Sequence, residues 1–380
     1  MSKTYDEFFE RINYVTLKLT PGCNLKCTYC NVEAITPKTP KMAIERFKQV
    51  ADLLILNSKS PFVGLEFHGG EPLLLQDDWY EEAVGYARKL AAENNKIIEF
   101  PLVTNGTMLS EKRLEKLLSL GIRLCLSCDG PPEINDILRG GGERVERAFR
   151  LLDSKRVPFS VICVLTQANW NRMPEAMDWF GEVGVHDFTI NFVQPQGRGM
   201  DTELLSGEQM FEGMRDIFEH MEGHDLSVHE AEVMGRVERF ARGRDKPPRP
   251  ACHEYQCQAG RNYVAMDMFG SVHACGTDLA HHKIGHVDLP FNQEHYDRTL
   301  EKLHDKGDWV VRCFDCNASR ICNHSCPTSD ANSDMFREYD CRSTKLLWEY
   351  FCENESRVYK LHERLMRQRY EMARQAPAAE

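Results

Sequence analysis

The chain has 380 residues and a formal net charge of −11, with 42% hydrophobic and 28% charged residues. That length holds one large domain and a smaller one, and the composition is that of a globular chain rather than a disordered or fibrous one. The acidic balance argues against a nucleic-acid partner, no apolar run is long enough for a membrane span, and Met1–Glu10 has no apolar signal core.

In chain order, the first strand is read at 14–20, where Tyr14-Val-Thr-Leu-Lys-Leu-Thr20 alternates like a short buried strand. Cys23, Cys27 and Cys30 follow at C-x3-C-x2-C spacing. Three thiolates hold three corners of a [4Fe-4S] cube and leave one iron open for chemistry, whereas an electron-transfer cluster is closed by four cysteines. The alternative is a zinc site. Zinc prefers paired C-x2-C knuckles with a closed fourth ligand, and neither Cys nor His occurs in the next twenty residues. The loop leaves the C-terminal end of a strand, where α/β enzymes place active sites.

Further strands are read at 62–67, 97–103, 122–128, 159–165 and 187–193. Helical patterns at Ala43–Leu56, Trp79–Glu93, Glu111–Leu120, Arg144–Lys155 and Arg172–Val183 separate them. Six β-then-α units imply an α/β fold with a parallel sheet, curled or closed. Periodicity does not separate a partial barrel from a doubly wound sheet. Helices at Gly207–Glu222 and His229–Arg242 follow, then the proline-rich, charged run Gly243–Pro250. The expected units are residues 1–235, a linker at 236–250, a cysteine-rich unit at 251–343 and a helical tail at 344–380.

Four strand ends carry motifs. In Phe67-His-Gly-Gly-Glu-Pro-Leu-Leu74, Gly69 and Gly70 allow close backbone approach, Glu71 offers an acceptor and Pro72 stiffens the exit. Thr104-Asn-Gly-Thr107 is a turn dipeptide that presents Asn105. Ser127-Cys-Asp-Gly130 ends the fourth strand, and Val193-Gln-Pro195 ends the sixth. A plain strand-to-helix turn is the alternative for the Gly-Gly run, and a simple loop for Thr104–Thr107.

These residues together resemble the radical SAM superfamily, whose cluster motif is C-x3-C-x2-C with an aromatic, here Tyr29, before the last cysteine. The resemblance implies a partial (β/α)6 TIM-like barrel. It also implies S-adenosylmethionine (SAM) on the open iron, cleaved reductively to a 5'-deoxyadenosyl radical. The Gly69–Pro72 run would receive the methionine ammonium. Asn105 would lie near the cofactor, Ser127 would contact the ribose, and Val193 would bracket the adenine. Arg139 could pair with the methionine carboxylate by a bidentate fork, and Arg144 is a rival for that role.

The remaining cysteines, Cys257, Cys275, Cys313, Cys316, Cys322, Cys326 and Cys341, follow the seven-cysteine SPASM pattern of peptide and sulfatase maturases, and Cys252 adds an eighth thiol. Eight thiolates close two cubes. By family position, Cys252, Cys257, Cys275 and Cys326 form one set, and Cys313, Cys316, Cys322 and Cys341 the other. The alternative is a zinc ribbon on Cys313/Cys316 and Cys322/Cys326. Cys125 and Cys163 are expected in the core.

The resemblance implies three [4Fe-4S] clusters, SAM and an electron donor such as flavodoxin or ferredoxin; the grouped cysteines and the missing signal core are read as metal-bound thiolates in a reducing cytoplasm. Closed auxiliary clusters suit an oxidative modification of a peptide or protein side chain. Two outcomes stay open: a crosslink in a ribosomal precursor peptide, and formylglycine in a sulfatase. In sulfatase maturases an Asp directly follows the cysteine matching Cys275. Here Gly276 follows, and Asp278 is the nearest substitute base. Only about twenty residues precede the cluster motif, so the peptide is expected on the barrel and SPASM surfaces or on a separate partner. The non-enzymatic alternative is an iron–sulfur electron-transfer protein, which needs neither an open iron nor a Gly-Gly-Glu-Pro run.

Overall fold

The computed structural model describes residues 4–32, 34, 36–224, 228–243, 257–277, 279, 281–304, 313–322, 326 and 334–375. After a short helix α1 (Tyr5–Phe9), strand and helix alternate: β1 (Tyr14–Lys18), α2 (Ile44–Asn57), β2 (Phe62–His68), α3 (Asp77–Glu93), β3 (Ile97–Thr104), α4 (Glu111–Ser119) and β4 (Ile122–Ser127). Next come α5 (Pro132–Leu138), α6 (Gly142–Ser154), β5 (Phe159–Leu165), α7 (Met173–Glu182), β6 (Asp187–Phe192), α8 (Gly207–Gly223), β7 (His229–Glu230) and α9 (Ala231–Arg242). The C-terminal part adds β8 (Tyr263–Asp267), β9 (Ser271–His273), β10 (Lys283–His286), α10 (Gln293–His304), α11 (Asp334–Glu353) and α12 (Glu355–Gln375).

Among the described residues ten strands form one sheet in the order β10-β9-β8-β1-β2-β3-β4-β5-β6-β7. Pairing is parallel from β8 through β7, and β8-β9-β10 is antiparallel. The six expected βα units are present. The sheet exceeds them on both sides: β8, beyond the proline-rich run, pairs with β1 from Tyr14↔Tyr263 to Lys18↔Asp267. Three further differences are local. His229 and Glu230 form a strand before α9, α5 was not foreseen, and the tail is two helices interrupted at Asn354. Asn competes with the helix through its own side chain; here the Asn354 amide donates to Tyr350 O at 2.9 Å.

Strand alternation gives the sheet two unlike faces. Val15, Leu17, Leu65, Phe67, Phe100 and Leu102 are buried under the helices. Phe67 packs on Phe47 of α2, on Trp79 and Tyr80 of α3, and stacks on Phe100 at 5.9 Å. The residues between them, Tyr14, Thr16, Lys18, Glu66 and His68, line the inner face. Cys163 is in the core, whereas Cys125, in register with Val103 and Ser160, shares the inner face. The helical tail docks outside the barrel: Phe351 of α11 meets Phe218 of α8 at 5.4 Å and Phe240 of α9 at 5.5 Å. Among the described residues no helix is long and apolar enough to cross a membrane.

Candidate active site

The cysteine loop follows β1 and is laced to the loop after β2. Gly70 N–H donates to Thr20 O and Glu71 N–H to Gly22 O, both at 2.7 Å. A Cβ on Gly70 would stand 2.1 Å from Gly22 O, and Gly69 has φ +139° with its Cβ position 2.5 Å from Thr20 O. The two glycines therefore bring backbone against backbone, a closeness no side chain permits. Gly69 N–H is also taken, by His68 Nδ1 at 2.7 Å.

Glu71 turns inward and is fully buried. Its carboxylate accepts from Leu73 N–H (2.9 Å), Thr104 Oγ1 (2.7 Å) and Asn105 N–H (2.8 Å). Burial raises its pKa, opposed by those donors. Glu71 thus ties the ends of β2 and β3 together, and Pro72, also buried, starts the turn that follows. Asn105 lies over the cysteine loop, donating to Asn24 Oδ1 at 2.9 Å and to Cys23 Sγ at 3.7 Å.

Tyr29 points the other way. Its hydroxyl donates to Asp129, the fully buried acid of Ser-Cys-Asp-Gly. Arg139 closes on the same carboxylate at 2.8 and 2.9 Å and stacks over the Tyr29 ring with its guanidinium carbon 5.3 Å from the centroid. Val164 N–H adds a further donor at 2.8 Å. The Arg139 guanidinium is thus engaged within the protein, Nη2 donating to Asp129 Oδ1 while Nε makes the ion pair without a hydrogen bond. Arg144 is exposed in the first turn of α6, Ser127 is half-buried at the end of β4, and Val193 packs with Tyr29, Ile134 and Leu138.

Sequence reading passed over Arg198. Its Nε donates to Cys27 O at 2.8 Å, its backbone N–H to Cys30 O at 3.0 Å, and Nη1 to Ala34 O at 3.3 Å. The loop after β6 thereby grips the cysteine loop. A glycine at φ +54° beside it, Gly197, whose Cβ position is 2.5 Å from Cys30 O, was the available signal.

The donor set fits an iron–sulfur cluster. Cys23, Cys27 and Cys30 are free thiols on one loop. Backbone N–H groups of Leu25 and Ala34 point at Cys23 and Cys30 Sγ, at 3.4 and 3.5 Å, as hydrogen bonding to thiolate sulfur requires. Burial pushes the Cys27 thiol up to about 11, with the Arg139 guanidinium pulling it down. A thiolate there needs a metal's charge.

Cys313, Cys316, Cys322 and Cys341 line one pocket with Thr344 and Lys345. Cys257 and Cys275 sit apart from that pocket: burial raises both thiols, and in each case the Cys326 thiolate adds to the rise. Cys326 is thus within electrostatic reach of Cys257 and Cys275, while Cys341 lines the pocket of Cys313, Cys316 and Cys322. Cys252 and Asp278 lie outside the described residues. The Cys275 segment returns to the cluster loop, where Asn31 Nδ2 reaches Thr277 O at 3.4 Å. Gly276 N–H donates to the Tyr263 hydroxyl at 3.3 Å. Burial lowers the pKa of nearby Lys18 to about 8, against the charges of Glu66, Cys275 and Cys30.

Residues 17–180 match the model of the Radical SAM superfamily. The chain thus carries a radical SAM domain and is an enzyme whose cofactors include SAM and a [4Fe-4S] cluster. It is similar to the cysteine-type anaerobic sulfatase-maturating enzyme of Clostridium perfringens (strain 13 / Type A), at 25% identity over 356 residues, covering 87% of this chain and 93% of that one. The solved structure of native anSMEcpe with bound AdoMet and Cp18Cys peptide superposes with a TM-score of 0.76 at 22% identity, over 93% of this chain and 99% of that one. Streptococcus suis SuiB bound to precursor peptide SuiA superposes with a TM-score of 0.58 at 15% identity, over 83% and 72%. At these identities the two superpositions speak for the fold: a mostly parallel α/β barrel with a cysteine-rich C-terminal part.

Proposed function

We propose that the chain is a radical SAM/SPASM maturase that oxidises a side chain of a peptide or protein, with a crosslink in a ribosomal precursor peptide as the leading product. The supporting observation is a contact between the segments that carry the two thiol sets. The loop of Cys23, Cys27 and Cys30 touches the Cys275 segment through Asn31 and Thr277. A radical source and an electron outlet then face the same space. Cys23, Cys27 and Cys30 would hold the cluster, and SAM bound to it would supply radical chemistry able to remove a hydrogen atom from the substrate.

The chain's own residues prepare that step. Glu71, Thr104 and Asn105 hold the strand ends that frame the cysteine loop. A methionine ammonium needs acceptors; the Glu71 and Pro72 carbonyls already accept from Leu74 N–H and Leu75 N–H, so the Gly69 and Gly70 carbonyls are the ones the run offers it. Asp129 with Arg139 fixes Tyr29, and Arg198 fixes the loop carbonyls. By this reading residues 251–343 are a SPASM unit with two closed clusters, three in all. Cys252 completes the set of Cys257, Cys275 and Cys326. A flavodoxin or ferredoxin of a reducing cytoplasm supplies electrons.

A second reading, formylglycine formation, draws on the likeness to the sulfatase-maturating enzyme over nearly its whole length. Gly276 weighs against it. A Cβ there would stand 3.0 Å from the Tyr263 hydroxyl and 3.2 Å from Lys18 Cε, so a side chain at this position crowds both. The test is an anaerobic reaction of reconstituted enzyme, SAM and reductant with the peptide encoded beside the gene. Loss of a pair of hydrogens with suppressed fragmentation marks a crosslink, and capture by an aldehyde probe marks formylglycine. No deoxyadenosine and no mass change would end both readings.

A further inference from the structure

The inner face of β1 and β2 carries a charge that the steps above leave unused. Lys18 stands opposite His68 in register, with Nζ 3.3 Å from His68 Nδ1, and is only 6% exposed. Glu66, whose charge it feels, gives its oxygens to Thr16 Oγ1 (2.6 Å) and the Tyr14 hydroxyl (3.3 Å). Among the described residues no carboxylate forms an ion pair with Lys18. A buried ammonium with its nearest carboxylate charge, Glu66, beyond ion-pair distance is costly and persists where further charges help to offset it.

The other charges are the two thiol sets. Lys18 lies within electrostatic reach of both Cys30 and Cys275. Its stem runs over Gly276, whose Cβ position is 3.2 Å from Lys18 Cε. The residue after Cys275 therefore both makes room for the cation and withholds the acid that would cancel it.

We propose that Lys18 is a charge-setting residue shared by the cluster on Cys23, Cys27 and Cys30 and the cluster on Cys257, Cys275 and Cys326. It raises the reduction potential of both. The inference rests on the cluster assignment above. Reduction adds one electron to each cluster without making or breaking a bond. A fixed positive charge in a dry interior stabilises that electron. Sharing one cation keeps the two potentials moving together, which suits a path that sends an electron in through one site and out through the other.

Anaerobic redox titration of reconstituted holoenzyme, without SAM and followed by electron paramagnetic resonance, tests this. Iron is counted first: about twelve per chain supports the assignment, and about four removes it together with the inference. With iron intact, Lys18→Met lowers both potentials. The reduced-to-oxidised ratio at a fixed potential falls at least tenfold, which is about 59 mV for one electron. Lys18→Arg stays near wild type. Gly276→Ala, which crowds Lys18 without removing its charge, shifts both the same way by less, and decides the matter if Lys18→Met does not take up iron. A fully loaded Lys18→Met protein in which either cluster keeps its wild-type potential overturns the proposal.

Discussion

Removing the Asp129 carboxylate tests the claim that the Ser-x-Asp-Gly turn holds the cysteine loop through Tyr29. Asp129 is fully buried, and the side chain of its partner Arg139 is 9% exposed, so solvent screens little of the pair. Asp129→Ala strands the guanidinium without a counter-ion, a loss of about 3–5 kcal/mol for a buried pair. It also removes the acceptor of Val164 N–H at 2.8 Å, worth about 1 kcal/mol. Partial relaxation of Arg139 toward water offsets some of this, leaving roughly 4 kcal/mol, a large share of the 5–15 kcal/mol typical of a domain. Asp129→Asn keeps an acceptor and loses the charge, at about 2 kcal/mol. The assay is urea unfolding of the reduced, iron-free protein, with iron uptake measured in parallel. In the double variant with Arg139→Ala the losses fall short of their sum, because the stranded charge is gone. An Asp129→Ala protein within about 1 kcal/mol of wild type, with full iron on the first cluster, would refute the reasoning.

Gly70→Ala sets a methyl 2.1 Å from Gly22 O. It breaks the two loop-to-loop hydrogen bonds, at about 2–4 kcal/mol for overpacking and lost bonds together; weakened SAM binding by equilibrium dialysis is the readout. Cys326→Ser and Cys341→Ser each lower iron from about twelve to about eight per chain. Combined with Cys275→Ser, the first keeps about eight and the second falls to about four, and the opposite pattern would reverse the grouping. Glu230 is buried, and desolvation raises it to about 7 against three backbone donors. Its stabilising contribution is full below the ordinary carboxylate range and is lost as pH rises toward 7, an effect of about 3 kcal/mol. Glu230→Gln flattens that slope in a pH series of urea midpoints; an unchanged slope would count against it.

Much of the barrel was legible because βα alternation is a local pattern. Six strands and five helices lie within a few residues of their expected bounds. α5 escaped because seven residues beginning at proline show little period. β8 and β9 escaped because their only signal was a short run ending at Gly270, whose φ of +100° turns the hairpin. The pairing of β8 with β1 has no local sign, since it joins segments about 250 residues apart.

The sequence alone determined that three thiols stand at C-x3-C-x2-C spacing on one loop, the count that the open-iron reading rests on. Three cysteines on one short loop can supply only three thiolates, whatever surrounds them. It also determined that Gly276 stands where an acid was expected. Only the tertiary structure decided where the polar groups point. Glu71 faces the β3 end, Arg139 is held by Asp129, and Arg198 grips the cluster loop. Each depends on contact between segments distant in the chain. Tyr29 and Asp129 are 100 residues apart, and sheet register rather than spacing brings such pairs together.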